Sequence, residues 1–207
     1  MVLALSRISE GSPKCCLMKS ALSDEELAGM ARNGDLGAFE TLAMRWERKM
    51  FSLCYGIMGN PDDAQDALQE AMTSAFRTIG SFRGDSKFSS WMHRIAVNSC
   101  LTLKRKERRR AEDSFEHADG TTIEPIATGN DCNPSELSER GERVRFVRNA
   151  VASLPQEIRI AVIMKEFQEL TFQEIADSLE IPVSTAKSRV YTGFKLLREK
   201  LAGKVIG

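Results

Sequence analysis

The sequence predicts an all-α protein in which two small helical domains are joined by a flexible acidic linker. Apolar residues recur at spacings of three and four along most of the chain, which is typical of helices that bury one face. Helix-start signals are dense, whereas the alternating pattern of strands is nearly absent. Between two helix-rich stretches, residues 111–139 contain eight acidic residues and no Lys or Arg.

These observations divide the chain into four parts. Residues 1–22 are expected to be a disordered lead-in, and residues 23–110 are the first domain. Residues 111–139 form the linker, because so polar a stretch buries too little apolar surface to order itself. Residues 140–207 form the second domain. Met18 lies just before the first helix signal, and its use as the native start is a hypothesis that an intact mass would test.

Four helices are predicted in the first domain. The first opens at residues 23–26, Ser-Asp-Glu-Glu, a capping box whose side chains satisfy free backbone amides. The second covers residues 36–58 and ends at residues 59–61, Gly-Asn-Pro, where Gly stops one helix and Pro begins another. The third covers residues 61–79, with an Ala-rich apolar face, and the fourth covers about residues 87–110.

The second domain is predicted to end in a helix-turn-helix. Helices resume near Arg140, and Pro155 marks the start of another helix. Residues 171–174, Thr-Phe-Gln-Glu, form a second capping box that begins a short helix. After a turn at residues 180–183, the last helix covers about residues 184–201.

Length and composition exclude several classes of protein. The chain has 207 residues and a net charge of zero, from 29 Lys and Arg against 29 Asp and Glu, so nucleic-acid binding would require segregated charge. The longest apolar run, Ile160 to Met164, is far shorter than the ~18–20 residues that span a bilayer. Arg7 and Glu10 interrupt the first ten residues, which make a poor signal peptide. We therefore expect a cytoplasmic protein without direct membrane insertion.

The five cysteines are expected to be reduced thiols. They occupy positions 15, 16, 54, 100 and 132 without a Cys-x-x-Cys pair, and the only histidines are His93 and His117. This spacing predicts neither a disulfide framework nor a metal site, and no cofactor is expected. The alternative for Cys15 and Cys16 is a redox role, in place of thiols in a disordered lead-in.

Four segments suit a nucleic-acid or protein partner, and each also has a purely structural interpretation. The first is the helix-turn-helix, in which Ile175, Leu179, Ile181 and Val190 would form the packed face beside the small Ala176. From residue 181 to residue 207 there are six basic residues and one acid. Hydroxyl groups, Lys and Tyr on the outer face of the last helix suit base edges in a major groove. The structural alternative is a solvated helix on a small bundle.

The second and third segments lie on the fourth predicted helix and in the loop before it. Residues 101–110 include six basic residues, which suit DNA phosphates but also complement the dipole at a helix end. Residues 82–98 mix Phe and Trp with Arg, Lys, Ser and Asn, which suits the stacking and hydrogen bonding of single-stranded bases. The structural interpretation places aromatic and aliphatic side chains in the core, and we favour it for Phe88 and Ile95.

The fourth segment, residues 62–70, contains four acids and no bases. Asp63, Asp66 and Glu70 are spaced by three and four, which places them on one helix face. The dipole at a helix N-terminus accounts for Asp62 and Asp63, but not for Glu70 two turns into the helix. A basic protein partner accounts for the whole stripe.

In their order and spacing, these segments resemble the extracytoplasmic-function sigma factors of bacterial RNA polymerase, over about residues 23–203. The segments that resemble region 2 of that family are residues 60–70, 82–86 and 91–98. Those that resemble region 4 are residues 154–155, 171–176 and 182–191. The resemblance implies a DNA-binding specificity subunit, and not an enzyme, that directs core polymerase to promoters through their −10 and −35 elements.

The resemblance also implies partners and site residues. The residues that would dock on the clamp helices of the polymerase β′ subunit are Asp63, Asp66, Gln69 and Glu70. Those that would bind and help to melt the −10 element are Phe82, Arg83, Asp85, Ser86, Lys87, Trp91, Arg94, Asn98, Lys104, Arg105, Arg108 and Arg109. Those that would read the −35 duplex are Ser184, Thr185, Lys187, Ser188, Arg189, Tyr191, Thr192 and Lys195. Further implied partners are the polymerase β flap and an anti-sigma factor.

Two positions depart from the family pattern. Housekeeping sigma factors carry paired tryptophans where this chain has Trp91 and Met92, so weaker melting and a stricter promoter are expected. Many members carry Arg where this chain has Thr192, so a strong contact to guanine is expected to be missing.

Two other functions compete with this interpretation. A stand-alone helix-turn-helix regulator predicts a dimer surface and an effector pocket, for which the sequence has neither a heptad pattern nor a polar cluster, and it leaves residues 62–70 unexplained. An enzyme predicts paired catalytic carboxylates, a nucleophile elbow, a phosphate-binding loop or metal-ligand spacing, and none of these patterns occurs.

Overall fold

The computed structural model describes residues 21–116 and 139–202, which fold as two packed groups of helices without a strand. The first domain contains α1 (Asp24–Arg32), α2 (Leu36–Met58), α3 (Pro61–Thr78), a 3₁₀ turn (Ile79–Ser81) and α4 (Phe88–Glu116). The second domain contains α5 (Glu139–Ala152), α6 (Gln156–Glu166), α7 (Phe172–Leu179) and α8 (Val183–Ala202). The predicted all-α class is confirmed.

Local signals in the sequence set the helix starts as predicted. At α1 the Glu26 amide donates to Ser23 Oγ at 3.2 Å, and the Ser23 amide donates to the Glu26 carboxylate at 2.8 Å. These hydrogen bonds lower the pKa of Glu26. Between α2 and α3, Gly59 adopts a left-handed φ of 94°, and the side chain of Asn60 accepts from the Asp63 amide at 2.8 Å.

Polar contacts also fix α1 against α2. The indole Nε1 of Trp46 donates to Asp24 Oδ2 at 2.9 Å, and Arg45 forms an ion pair with the same carboxylate at 2.5 Å. Asp24 lies in the first turn of α1, where a negative charge also complements the helix dipole. One acid therefore orients the entry helix on the bundle.

The interior of the first domain is formed mainly by α2, α3 and α4. Ala-rich positions on α3 let that helix approach its neighbours closely, and Leu42, Met50, Leu53 and Ile57 of α2 are almost completely buried. Burial of each such side chain stabilises the fold by about 1.5–3 kcal/mol. Apolar packing is therefore what holds these helices together.

Two of the five cysteines lie in this interior. Cys54 on α2 and Cys100 on α4 are free, buried thiols. A hydrogen bond with Cys54, together with burial, raises the pKa of the Cys100 thiol. A thiol kept protonated in an apolar core is chemically inert.

The ends of α4 and α5 differ from the expected linker bounds. α4 continues to Glu116, six residues beyond the predicted end at Arg110, because no Gly or Pro occurs in residues 111–116 to stop it. α5 begins at Glu139, one residue before the predicted start. The lead-in through residue 20, with Cys15, Cys16 and Met18, and the linker residues 117–138 lie outside the described residues.

The buried cores of the two domains form one continuous cluster. Buried residues of α6 and α7, including Ile163 and Ile175, belong to the same cluster as those of α2 and α4. Of the helices that the structure describes, none has the length and apolarity needed to cross a membrane.

Close packing of α8 on α6 leads to a stability prediction. A Cβ atom at Gly193 would lie 2.3 Å from Cγ2 of the buried Val162, whereas a Cβ at Gly29 in α1 would meet nothing within 4 Å. We expect Gly193→Ala to destabilise the protein by about 1–3 kcal/mol, since the β-branched Val162 has little freedom to move aside. Urea unfolding monitored by circular dichroism measures the change.

Gly29→Ala is the matched control, because it makes the same helix-favouring change without a clash. It should stabilise the protein by roughly 0.5–1 kcal/mol. Equal effects of the two substitutions on the free energy of unfolding would contradict close packing at Gly193.

Candidate nucleic-acid interface

The outer face of α8 is presented to solvent by the packing of its inner face. Ala186, Val190 and Gly193 are buried against α6 and α7. On the other side, six of the eight predicted −35 residues are exposed: Ser184, Lys187, Ser188, Tyr191, Thr192 and Lys195. The face therefore combines hydroxyls, ammonium groups and an aromatic edge at a spacing that one helix brings together.

Tyr191 is the most prominent side chain on this face. It is 60% exposed, and its ring lies 5.9 Å from that of Phe172 on α7. Lys165 and Lys187 approach the Phe172 ring at 5.1 and 5.9 Å. The cations beside this aromatic pair give the helix-turn-helix a positively charged surface.

Two predicted −35 residues have other environments. Thr185 is half-buried, and so is Arg189, whose guanidinium forms an ion pair with Glu157 at the start of α6. This pair faces the first domain and not the outer face of α8.

The predicted −10 aromatics lie in an aromatic cluster of the first domain. Phe82 and Trp91 are only 8% and 7% exposed, and their ring centroids are 5.3 Å apart. Phe88 lies 5.5 Å from Trp91 and, as predicted, is a core residue, while Ile95 is half-buried against the core. A base that stacked on Phe82 or Trp91 would require residues 82–87 to move, and their −10 role stays a prediction.

Polar −10 residues surround this cluster at the surface. Arg83, Asp85, Ser86, Lys87 and Asn98 are exposed. Four of them lie in the loop before α4, and Asn98 lies on the third turn of that helix.

Farther along α4, the basic run lines a cleft of about 600 Å³ between the two domains. The cations that line it from α4 are Arg94, Lys104, Arg105, Arg108 and Arg109. Burial, with the nearby guanidinium of Arg159, lowers the pKa of Lys104. Positive charge is thus concentrated at this cleft, although the chain as a whole is neutral.

Across the interface, acids of the second domain pair with predicted −10 cations. Lys87 lies 2.9 Å from Glu174 on α7, and Arg94 lies 2.5 Å from Glu180 at the end of that helix. Glu174 also accepts hydrogen bonds from the Thr171 amide at 3.0 Å and hydroxyl at 2.9 Å. These bonds, with the Lys87 ammonium, lower the pKa of Glu174 to about 2, and the same pair raises the pKa of Lys87.

The acidic stripe on α3 lies on a different surface. Asp66, Gln69 and Glu70 are exposed, whereas Asp63 is half-buried and bonded to the Asn60 cap. Partial burial of Glu107 on α4 raises the pKa of that carboxyl group, and the negative charge of Asp63 raises it further, because like charges disfavour ionisation.

Beside this stripe, α2 and α3 enclose an open groove of about 300 Å³. Met44, Phe51 and Leu68 line it together with polar residues, and Met44 is 73% exposed. The sequence pattern did not predict this groove, although Met44 was a signal for it, as an apolar residue among Glu40, Glu47 and Arg48 on a polar helix face. The acids and the groove together suit an amphipathic basic helix.

Within residues 21–116 and 139–202, no group of three or more His, Cys, Asp or Glu side chains is placed to hold a metal ion. His93 is buried, with Nδ1 at 2.6 Å from the Ser89 carbonyl and its ring 5.5 Å from Trp46. Burial lowers its pKa, which favours the neutral imidazole of a packed core residue.

The ion pairs of three acidic residues were not predicted from the sequence. Glu157, Glu174 and Glu180 pair with cations assigned to DNA, and two of these pairs join residues 86 or 87 positions apart. No periodicity or motif connects positions so distant in the chain, so only the packing of the domains reveals them.

Comparison with known proteins places the chain in a family. Residues 42–110 match the model of Sigma-70 region 2, and residues 147–197 match that of Sigma-70, region 4. The chain is 33% identical to the ECF RNA polymerase sigma-E factor of Escherichia coli K12 over 192 residues, covering 91% of this chain and 97% of the relative. It is 31% identical over 170 residues to the RNA polymerase sigma-H factor of Pseudomonas aeruginosa, covering 81% and 88%.

Solved structures share the fold. CnrH in complex with the cytosolic domain of CnrY has a TM-score of 0.65 at 19% identity, covering 87% of this chain and 98% of that one. RpoE of Bartonella quintana, in complex with the anti-sigma factor NepR, has a TM-score of 0.62 at 20% identity, covering 80% and 98%.

The chain therefore belongs to the sigma-70 family of RNA polymerase sigma factors, in the extracytoplasmic-function group. As a sigma factor it is a non-enzymatic subunit that directs promoter-specific initiation of transcription. Its recognition as a sigma factor from the sequence is confirmed.

The low pKa of Glu174 leads to a prediction about acid stability. Because the folded-state pKa lies below the ordinary value of 4.5, this carboxylate stabilises the fold fully above about pH 4.5 and loses its effect toward about pH 2. We expect Glu174→Gln to flatten the fall in melting temperature over that interval. Thermal unfolding measured at a series of pH values tests this, and parallel curves for the two proteins would contradict it.

Proposed function

We propose that this sigma factor binds its partners through three separate surfaces. The outer face of α8 reads the −35 duplex, α4 and the loop before it bind the −10 strand, and the acidic stripe of α3 docks on the β′ clamp helices. The single observation that carries the proposal is the segregation of charge in a chain whose net charge is zero. Cations gather on α4 and α8, while acids gather on α3.

For core polymerase, the proposed contact joins the stripe Asp66, Gln69 and Glu70 to the groove at Met44. A basic amphipathic helix would place cations on the acids and an apolar side chain in the groove. Charge would steer the encounter, and burial of Met44 would slow dissociation. Region 4 is proposed to contact the β flap.

For promoter DNA, the two domains are proposed to act together. Region 2 is assigned to residues 23–110 and region 4 to residues 140–207, and the acidic linker between them would follow positively charged channels of the polymerase. Each domain alone would bind DNA weakly, and tethering both on the polymerase would raise their effective concentration at the promoter.

Location and regulation are also proposed. A subunit of the transcription machinery acts in the cytoplasm, and an anti-sigma factor is the proposed regulator. The solved structure of RpoE with the anti-sigma factor NepR supports a regulator of this kind.

Run-off transcription with core polymerase on a library of promoter fragments tests the function. We expect specific transcripts that depend on the added protein. Absence of such transcripts across the library would overturn the proposal.

Charge reversal tests the polymerase interface. Asp66→Lys with Glu70→Lys should weaken core binding by about tenfold or more, since the clamp helices would then meet like charges. Glu25→Lys reverses an exposed acid on α1, away from the stripe, and should leave core affinity unchanged. Fluorescence titration against core polymerase measures both variants, and circular dichroism reports their folding. If the double variant and Glu25→Lys bind core polymerase with the same affinity, the stripe is not the interface.

Two substitutions on α8 test −35 recognition. Lys187→Ala and Tyr191→Ala should each weaken holoenzyme binding to a duplex promoter by about 1–3 kcal/mol if they contact base edges. Lys200→Ala removes a cation from the opposite side of the same helix and should have a smaller effect. Binding is measured by electrophoretic mobility shift at several salt concentrations. A larger loss from Lys200→Ala would contradict the assigned face.

A further inference from the structure

The contact between the two domains engages the surface that is proposed to bind the −10 strand. Lys87 and Arg94 belong to that surface, yet they are paired with Glu174 and Glu180 of the helix-turn-helix. A carboxylate on a guanidinium or ammonium group occupies the donors that a phosphate would use. The second domain thus covers part of the DNA surface with its own anions.

Glu180 adopts a backbone conformation that its side chain does not favour. It is the C-terminal cap of α7 with φ 53° and ψ 45°, in the left-handed region where Gly or Asn is the usual residue. Nothing in the helix-turn-helix itself requires a carboxylate at this turn. The conformation aims the side chain across the interface to Arg94 at 2.5 Å.

Beside these ion pairs, apolar and polar contacts pack the second domain against α2 of the first domain. A Cβ atom on Gly56 of α2 would lie 3.1 Å from Cγ2 of Ile163, so only glycine allows α6 to approach this closely without displacing a neighbour. Arg148 lies over the Tyr55 ring at 5.5 Å. Arg159 contacts the Ile57 carbonyl at 3.5 Å, near the C-terminus of α2.

The cleft between the domains brings groups of the helix-turn-helix opposite the cations of α4. Arg94 and Arg109 of α4 face Ile181 and Arg189 of the helix-turn-helix across the cleft of about 600 Å³. A nucleic-acid strand that bound both Lys87 and Arg94 would have to displace the two carboxylates that pair with them.

We propose that Glu180, assisted by Glu174, is an intramolecular competitor of DNA phosphate that holds this sigma factor in a closed form. The inference rests on the proposed −10 function of α4. In the closed form the carboxylates of the helix-turn-helix occupy donors of Lys87 and Arg94, and separation of the domains on core polymerase releases both cations together. Exposed ion pairs are weak, so each pair shifts the equilibrium between the closed form and the form with separated domains by only about two- to fivefold. Binding to polymerase readily overcomes a shift of this size.

Glu180→Gly in the full chain is the main test, with Glu169→Gly as its matched control. Both positions are exposed acids with left-handed φ, 53° and 55°, so both substitutions relieve the same backbone strain and remove the same charge. Within the described part of the chain, only Glu180 of the two takes part in an ion pair. Small-angle scattering measures the radius of gyration, and fluorescence anisotropy measures the affinity for a single-stranded oligonucleotide of mixed sequence.

We expect Glu180→Gly to expand the protein in solution and to bind the oligonucleotide about two- to fivefold more tightly than Glu169→Gly. Glu180→Gln, which keeps the backbone strain but loses the charge, should change both measurements in the same direction. If the two glycine variants have the same radius of gyration and the same affinity for the oligonucleotide, the proposal is overturned. Run-off transcription with saturating core polymerase separates the two ideas, because it tests the −10 function whether or not the closed form exists.

Discussion

The packing of α6 is the constraint on which the rest of the arrangement depends. All five residues of its apolar run, Ile160 to Met164, are buried, so this helix is covered on every side. Val162 meets Gly193 of α8 within the second domain, and Ile163 meets Gly56 of α2 in the first. One helix therefore supports the helix that is proposed to read DNA and also joins the two domains.

Because both contacts use the same helix, the surfaces of the protein are coupled. Seating α6 on α2 brings the helix-turn-helix beside α4, where Glu174 and Glu180 meet Lys87 and Arg94. The outer face of α8 and the acidic face of α3 point elsewhere and stay exposed. This arrangement therefore engages two cations of the proposed −10 surface, Lys87 and Arg94, and leaves the proposed −35 and polymerase surfaces open.

Much of the architecture was predictable because local interactions specify it. Both capping boxes form as their sequences indicate, and residues 59–61 separate α2 from α3. The end of α4 was missed by six residues, since an acidic, polar composition alone does not stop a helix. The sequence also did not decide the environment of Trp91, because the same helical spacing suits either a core position or an exposed stacking surface.

The sequence by itself determined the all-α class, most helix starts and the separation of acidic from basic segments. These follow from interactions within a few residues and from the 3.6-residue period of a helix. Only the tertiary structure decided which charges meet. The partner of Arg94 lies 86 positions along the chain, and the groove at Met44 arises where two helices pass each other. Such neighbours are chosen by the burial of apolar faces, which acts without regard to distance along the sequence.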